Sequence, residues 1–154
     1  MEQVVDQVYG ILSKEGIHFD SREDGNEYRV RFDSAYVFVS FEERADTIVV
    51  SLRCPLLQEV DEVVAGREKL LTAVNDLNGS IMFGKACWYA DRKLVELEHY
   101  LRGNDLQAKD LIHALRTLAS TAEERDDAMQ KDLGTGKRGS DVWTTPGEEP
   151  VVET

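Results

Sequence analysis

The spacing of apolar residues changes four times along this chain, and each change limits what the next segment can fold into. Val4, Val5, Val8, Ile11 and Leu12 recur at helical spacing over residues 2–15, and Gly16 is placed to cap that helix. Residues 18–27 are polar and turn-rich, so a loop is expected there. The period then drops to two. Tyr28, Val30 and Phe32 alternate with Arg29 and Arg31, which describes a strand with one buried and one wet face. Tyr36 to Phe41 is apolar on both sides and should be covered on both, and Thr47 to Cys54 alternates again until Pro55 is expected to end it. Short connections make these three strands an antiparallel meander. Residues 56–66 fit either a turn of helix or a loop.

Helical spacing returns at Leu70, Leu71, Val74 and Leu77, with Asn78-Gly79 expected to close this helix in a left-handed cap. Residues 81–90 and 91–101 read as two strands around a turn at Ala90-Asp91-Arg92. A last helix, capped by Asn104 or Asp105, carries Leu111, Leu115 and Leu118 on one stripe to about Met129. The expectation is an α+β fold, an antiparallel sheet with helices in the order α-β-β-β-α-β-β-α. Residues 1–133 would form the domain. Residues 134–154 hold four of the eleven glycines and two of the three prolines without periodicity, and are expected to be a disordered polar tail.

Charge narrows the partners. Eighteen Lys and Arg against thirty Asp and Glu leave −12 over 154 residues, which disfavours nucleic acid and anionic membrane surfaces. No run approaches the length of a membrane span, and the N-terminus lacks the order of a secretory signal, so a cytoplasmic location is expected. Cys54 and Cys87 read as buried thiols rather than a disulfide or metal ligands.

Catalytic patterns are not evident. The stretch GTGKRG departs from a phosphate-binding loop because Lys131 stands where its first Gly belongs and Arg138 where Ser or Thr belongs. His18, His99 and His113 are expected on a loop, a strand and a helix, without metal-ligand spacing. Glu96 and Glu98 share one face of a strand and could serve as acid and base, although a solvated hairpin face explains them as well. No catalytic residue, metal or cofactor is therefore assigned.

The segment LLTAVNDLNGSIMFGKACWYADRKLVELEHYL, residues 70–101, resembles the YbjN-like family and the related class I type III secretion chaperones. The resemblance rests on Asn75, Asn78, Gly84, Leu94, Val95 and Glu98, and on the order of elements from residue 2 to about 130. It implies a non-catalytic protein- or peptide-binding module, often a homodimer, that holds an extended client along its surface. Tyr36, Phe38, Trp88 and Tyr89 are the candidate pocket-forming residues, since aromatic side chains supply such pockets, while packing within the core explains them equally. A small-ligand protein or enzyme with a closed cavity, and a regulatory subunit with one fixed partner, are the alternatives. A deep closed cavity would favour the ligand reading and a long open surface the peptide reading.

Overall fold

The computed structural model describes residues 1–21 and 26–139. Helix α1, Glu2–Lys14, buries Val4, Val5, Val8 and Leu12. Strands β1 His18–Ser21, β2 Glu27–Phe32, β3 Ala35–Arg44 and β4 Thr47–Gln58 come next, then the short helix α2 Glu62–Ala65 and helix α3 Arg67–Ser80. The hairpin β5 Lys85–Tyr89 and β6 Leu94–Arg102, helix α4 Ala108–Leu133 and strand β7 Lys137–Arg138 complete the order. The α+β class and the expected succession of elements are borne out, with β1, α2 and β7 added.

All strand pairs are antiparallel, in the spatial order β1-β2-β3-β4-β6-β5, with β7 also beside β4. Helix α4 packs on β3, β4 and β6, while α3 packs on β5. The buried apolar residues of all three long helices join a single core with Val30, Val37, Val39, Val50, Leu52 and Leu97. That core fixes the inner face of the sheet. Alternation along each strand assigns Arg29, Phe38, Arg53 and Glu98 to the outer face, where no described helix contributes to the core.

Several expectations need correction. His18–Ser21 is a strand rather than a loop, paired His18 to Arg31 through Ser21 to Tyr28; its polarity is that of an edge strand, with Phe19 alone turned toward the core. Pro55 does not end β4. The β3 ladder has already stopped at Phe38–Arg53, and the β6 register shifts between Pro55 and Leu57, so a residue without an N–H is tolerated there. Asn78-Gly79 is not a cap: α3 continues to Ser80, and the Asn78 side chain accepts from the Ala86 N–H (2.7 Å) and donates to the Ala86 carbonyl (3.0 Å). It thereby caps the outer edge of β5. Gln107, rather than Asn104 or Asp105, precedes α4, and Asn104 instead accepts from the Ile48 N–H at 3.3 Å. Helix α4 runs to Leu133 and closes on Gly134 in the left-handed conformation.

Residues 81–84 do not belong to a strand, and the Met82 side chain is fully exposed. Gly84 makes this turn with φ +80°, where an added Cβ would lie 2.9 Å from the Glu98 carbonyl oxygen and 3.1 Å from Leu118 Cδ2. Of the stretch expected to be a tail, residues 134–139 are described and Lys137–Arg138 among them pair with β4, whereas 140–154 lie outside the described residues. Gly84→Ala should destabilise the protein by about 1–3 kcal/mol through combined backbone strain and collision with β6. Urea unfolding of the variant against the parent chain measures this directly, and an unchanged midpoint would contradict it.

Candidate functional site

The outer face is organised by register. One transverse row runs through the six strands of the main sheet as Asp20, Arg29, Phe38, Arg53, Glu98 and Lys85, each directly opposite the next. Opposite positions bring side chains within contact distance, so the row is a chain of neighbours rather than scattered charges. Arg29 pairs with Asp20, and Arg53 Nη2 lies 2.7 Å from Glu27 Oε2. Guanidinium groups also lie over the rings: Arg29 is 5.4 Å and Arg31 5.9 Å from the centre of Tyr36, and Arg53 is 5.5 Å from that of Phe38.

A cavity of about 310 Å³ opens in this face, lined by Phe38, Arg53, Pro55, Gln58, Arg92 and Glu96. Tyr36, Phe38 and Tyr89 all belong to this face, with Arg92 stacked 4.1 Å from the Tyr89 ring centre. Trp88 does not join them. Its place in β5, opposite Val95, turns it to the inner face, where it packs against the core and beneath Arg67.

Glu96 and Glu98 are not a solvated pair, since their exposure is only 1% and 2%. Their position on one face was legible from the alternation in VELEH, but their burial was not. Glu98 accepts from the hydroxyls of Tyr89 and Tyr100, the latter at 3.2 Å, and Lys85 Nζ lies 4.0 Å away. Burial alone would raise its pKa; hydrogen bonding from Glu96 and the two tyrosines, with the charge of Lys85, outweighs that and holds Glu98 below the ordinary carboxylate range.

Glu96 differs. Among the described residues neither of its oxygens meets a hydrogen-bond donor, and Arg92 Nη2 stands off at 4.0 Å. Its near neighbour is the Glu98 carboxylate, and that contact becomes a hydrogen bond only when Glu96 carries a proton. Burial, then this bond and the charge of Glu98, push Glu96 from 4.5 up to about 7, against the opposing pull of Arg53 and Arg92. The pair therefore keeps one proton into the neutral range. Cys87 Sγ lies 3.7 Å from Glu98 Oε1, and burial followed by that charge raises its thiol pKa, which disfavours a reactive thiolate.

The remaining titratable candidates lie elsewhere. His99, on the inner face, stacks on Phe83 at 3.9 Å between ring centres, and burial lowers its pKa. His18 is on β1 and His113 on α4. Among the described residues no group of three or more His, Cys, Asp or Glu is placed to hold a metal ion. A larger cavity of about 460 Å³ lies between α3 and α4, but none of the buried ionised groups lines it. No described helix is long and apolar enough to cross a membrane.

The described long helices on one side of a sheet, and a cavity-bearing face of rings and guanidinium groups on the other, define a class of binding module. The chain belongs to the TY-Chap1 family, described as T3SS (YopN, CesT) and YbjN peptide-binding chaperone 1, whose sequence pattern it matches over residues 2–140. The resemblance carried by Asn78, Gly84 and Glu98 is thereby borne out, and two of those residues have structural roles here: Asn78 caps β5 and Gly84 turns against Glu98. No curated protein matches the chain.

The raised Glu96 pKa has a definite sign in stability. Between about pH 4.5 and 7 the folded protein holds a proton at Glu96 that the unfolded chain has released, so this group's contribution is full below 4.5 and is lost as pH rises through 7. Glu96→Gln should remove that dependence and stabilise the protein at pH 8 by on the order of 1–3 kcal/mol. Urea titrations at pH 5, 6.5 and 8 test it, and a destabilised variant at pH 8 would show that the charged carboxylate is favourably held.

Proposed function

We propose that this protein is a non-catalytic, cytoplasmic chaperone-like module that holds an extended segment of another protein across the outer face of its sheet. The observation that carries this reading is the transverse row from Arg29 through Phe38 and Arg53 to Glu98, set on a face to which no described helix packs. Rings flanked by guanidinium groups present flat contact surfaces and hydrogen-bond donors together, which suits a peptide's alternating side chains and carbonyls. The sheet edges suit it less. Asn78 occupies the β5 edge at Ala86, and β1 is a four-residue strand with a polar pattern. The free thiols Cys54 and Cys87 suit a reducing compartment.

The reading includes a second copy docked through α3, which packs beside β5. Four of the exposed large apolar side chains, Val63, Val64, Leu71 and Met82, fall between α2 and the turn after α3. Pairing through this region would leave the outer face available to a client. Leu71→Glu should convert a dimer to a monomer at micromolar concentration by sedimentation velocity; a parent chain that is already monomeric would remove this part of the reading.

Binding to an array of synthetic twelve-residue peptides tests the main proposal. Tyr89→Ala and Arg92→Ala, both at the rim of the face, should each weaken the peptides retained by the parent chain about tenfold, as interface anchors do. Lys109→Glu, on the outside of α4, should not. Equal binding by all three variants would overturn the assignment of this face.

A further inference from the structure

Two neighbouring side chains of the outer-face cavity have incomplete bonding. Glu96 is almost wholly buried and lines the cavity, yet among the described residues neither of its oxygens has a hydrogen-bond donor. Arg92 Nη2 is 4.0 Å from Glu96 Oε1, too far for a hydrogen bond, and no other carboxylate among the described residues pairs with this guanidinium. The Tyr89 ring, 4.1 Å from Arg92 Cζ, holds the guanidinium plane. A stacked guanidinium keeps its fork of donors oriented, so little freedom is lost when a planar acceptor meets it.

A buried acid beside an unpaired guanidinium would ordinarily ionise and form a salt bridge. Glu96 is prevented by the groups around it. Glu98, two residues along β6, is held ionised by Tyr89, Tyr100 and Lys85, and it takes a hydrogen bond from Glu96 only while Glu96 keeps its proton. Directly opposite Glu96 stand Pro55 on β4 and Cys87 on β5, neither a cation, and α4 lies on the other side of the sheet. Arg53 and Arg92 pull toward the charged form, but burial and Glu98 prevail until about pH 7. Below that pH Arg92 keeps a positive charge with no counter-charge.

The rest of the lining adds to that sign. Arg53 and Lys93 join Arg92, while of the nearby carboxylates Glu59 lies 3.4 Å from Lys137 Nζ and Glu27 lies 2.7 Å from Arg53. In a chain of net charge −12 the cavity is thus locally positive. Its volume, about 310 Å³, has room for one side chain with water around it. Phe38 and Arg53 belong both to the transverse row and to this lining, so an extended segment laid along the row passes over the cavity with every second side chain turned toward the sheet.

We propose that the cavity is a subsite for an acidic side chain, Glu or Asp, of the bound segment, whose carboxylate pairs with the Arg92 guanidinium above Tyr89. Its assignment to a client rests on the peptide-binding reading above; the preference of the cavity for a carboxylate does not. Once Glu96 ionises it competes for Arg92 and repels the incoming carboxylate. Binding is therefore full below about pH 7 and weakens as the pH rises above it.

The probe is N-acetyl-glutamate methylamide, with its glutamine counterpart and inorganic phosphate for comparison. Each is titrated against the full chain while the carbon-13 signal of Arg92 Cζ, assigned by its loss in Arg92→Lys, is followed by NMR. At pH 6 the acid should shift this signal with a dissociation constant on the order of 10 mM, as one charge-assisted pair supports, and the glutamine counterpart should bind at least about fivefold more weakly. At pH 8 the acid should bind about tenfold more weakly than at pH 6, because the Glu96 proton must then be taken up again. In Glu96→Gln that difference should disappear, a change that a merely structural role for Glu96 would not produce. Saturation transfer to the methyl groups of the acid, seen with the parent chain, should be lost in Arg92→Gln. No shift with the acid up to about 100 mM at pH 6 would overturn the subsite. So would equal binding of the glutamine counterpart or of phosphate, transfer that survives Arg92→Gln, or a pH dependence that survives Glu96→Gln. On the array of twelve-residue peptides, acetylated and amidated at their ends, those retained should carry Glu or Asp, and replacing it by Gln or Asn should weaken retention about tenfold. Indifference to that replacement, or retention only of peptides with a free C-terminal carboxylate, would overturn the side-chain assignment. An array that retains nothing defeats the peptide-binding reading, and the small probe then decides the subsite alone.

Discussion

The three long helices among the described residues all pack on one side of the sheet, and much of the structure stems from that asymmetry. Helices α1 and α4 supply the residues that close the inner face, and α3 is taken up beside β5. Apolar strands such as β3 are normally covered on both sides, and Tyr36 and Phe38, on its outer side, are only 3% and 7% exposed. The outer face meets this by laying arginine side chains over its own aromatics. Their stems cover ring surface while the guanidinium heads pair with Asp20 and Glu27, so part of the apolar area is shielded by the face's own side chains.

That solution fixes the electrostatic character of the face. Arginines held over rings need counter-charges nearby, and Glu98 lies directly opposite Arg53 in the register. Strand alternation then forces Glu96 onto the same side two residues away, where it has Glu98 for a neighbour and no donor of its own among the described residues. Two buried carboxyls at that spacing cannot both ionise cheaply, and the difference in hydrogen bonding decides which keeps the proton: Glu98 has two tyrosine hydroxyls and Glu96 has none. A surface that holds a chargeable carboxyl beside guanidinium groups can present either a hydrogen-bond donor or a negative charge to whatever lies on it.

The mismatch in strand length does the rest. β4 is twelve residues long, and its pairing with β3 stops at Arg53, which leaves its last five residues without β3 as a neighbour. β7 fills part of that gap and brings the chain out of α4 to the rim of the cavity beside Pro55. The same offset therefore both opens the cavity and makes room for β7. Asn78 plays a comparable part at the far edge, where a side-chain amide satisfies the β5 backbone at Ala86 in place of another strand.

Periodicity made the class of fold legible, because a 3.6-residue stripe and a two-residue alternation are local consequences of which side of an element is dry. It also placed Arg29 and Arg31 opposite Tyr28 and Val30, and Glu96 and Glu98 on one face, which are statements about direction alone. It misjudged what depends on partners distant in sequence. His18–Ser21 looked like a loop because an edge strand needs no apolar alternation, and Asn78-Gly79 looked like a cap because its true partner, Ala86, lies across a turn. Tyr36, Phe38 and Tyr89 share a face while Trp88 does not: neighbours 88 and 89 alternate on any strand, and only the pairing of β5 with β6 decides which of them points inward. Burial of Arg29, Glu96 and Glu98 could be decided only by tertiary structure: a side chain's direction is set by its own backbone, whereas its solvent is set by whatever the rest of the chain brings over it.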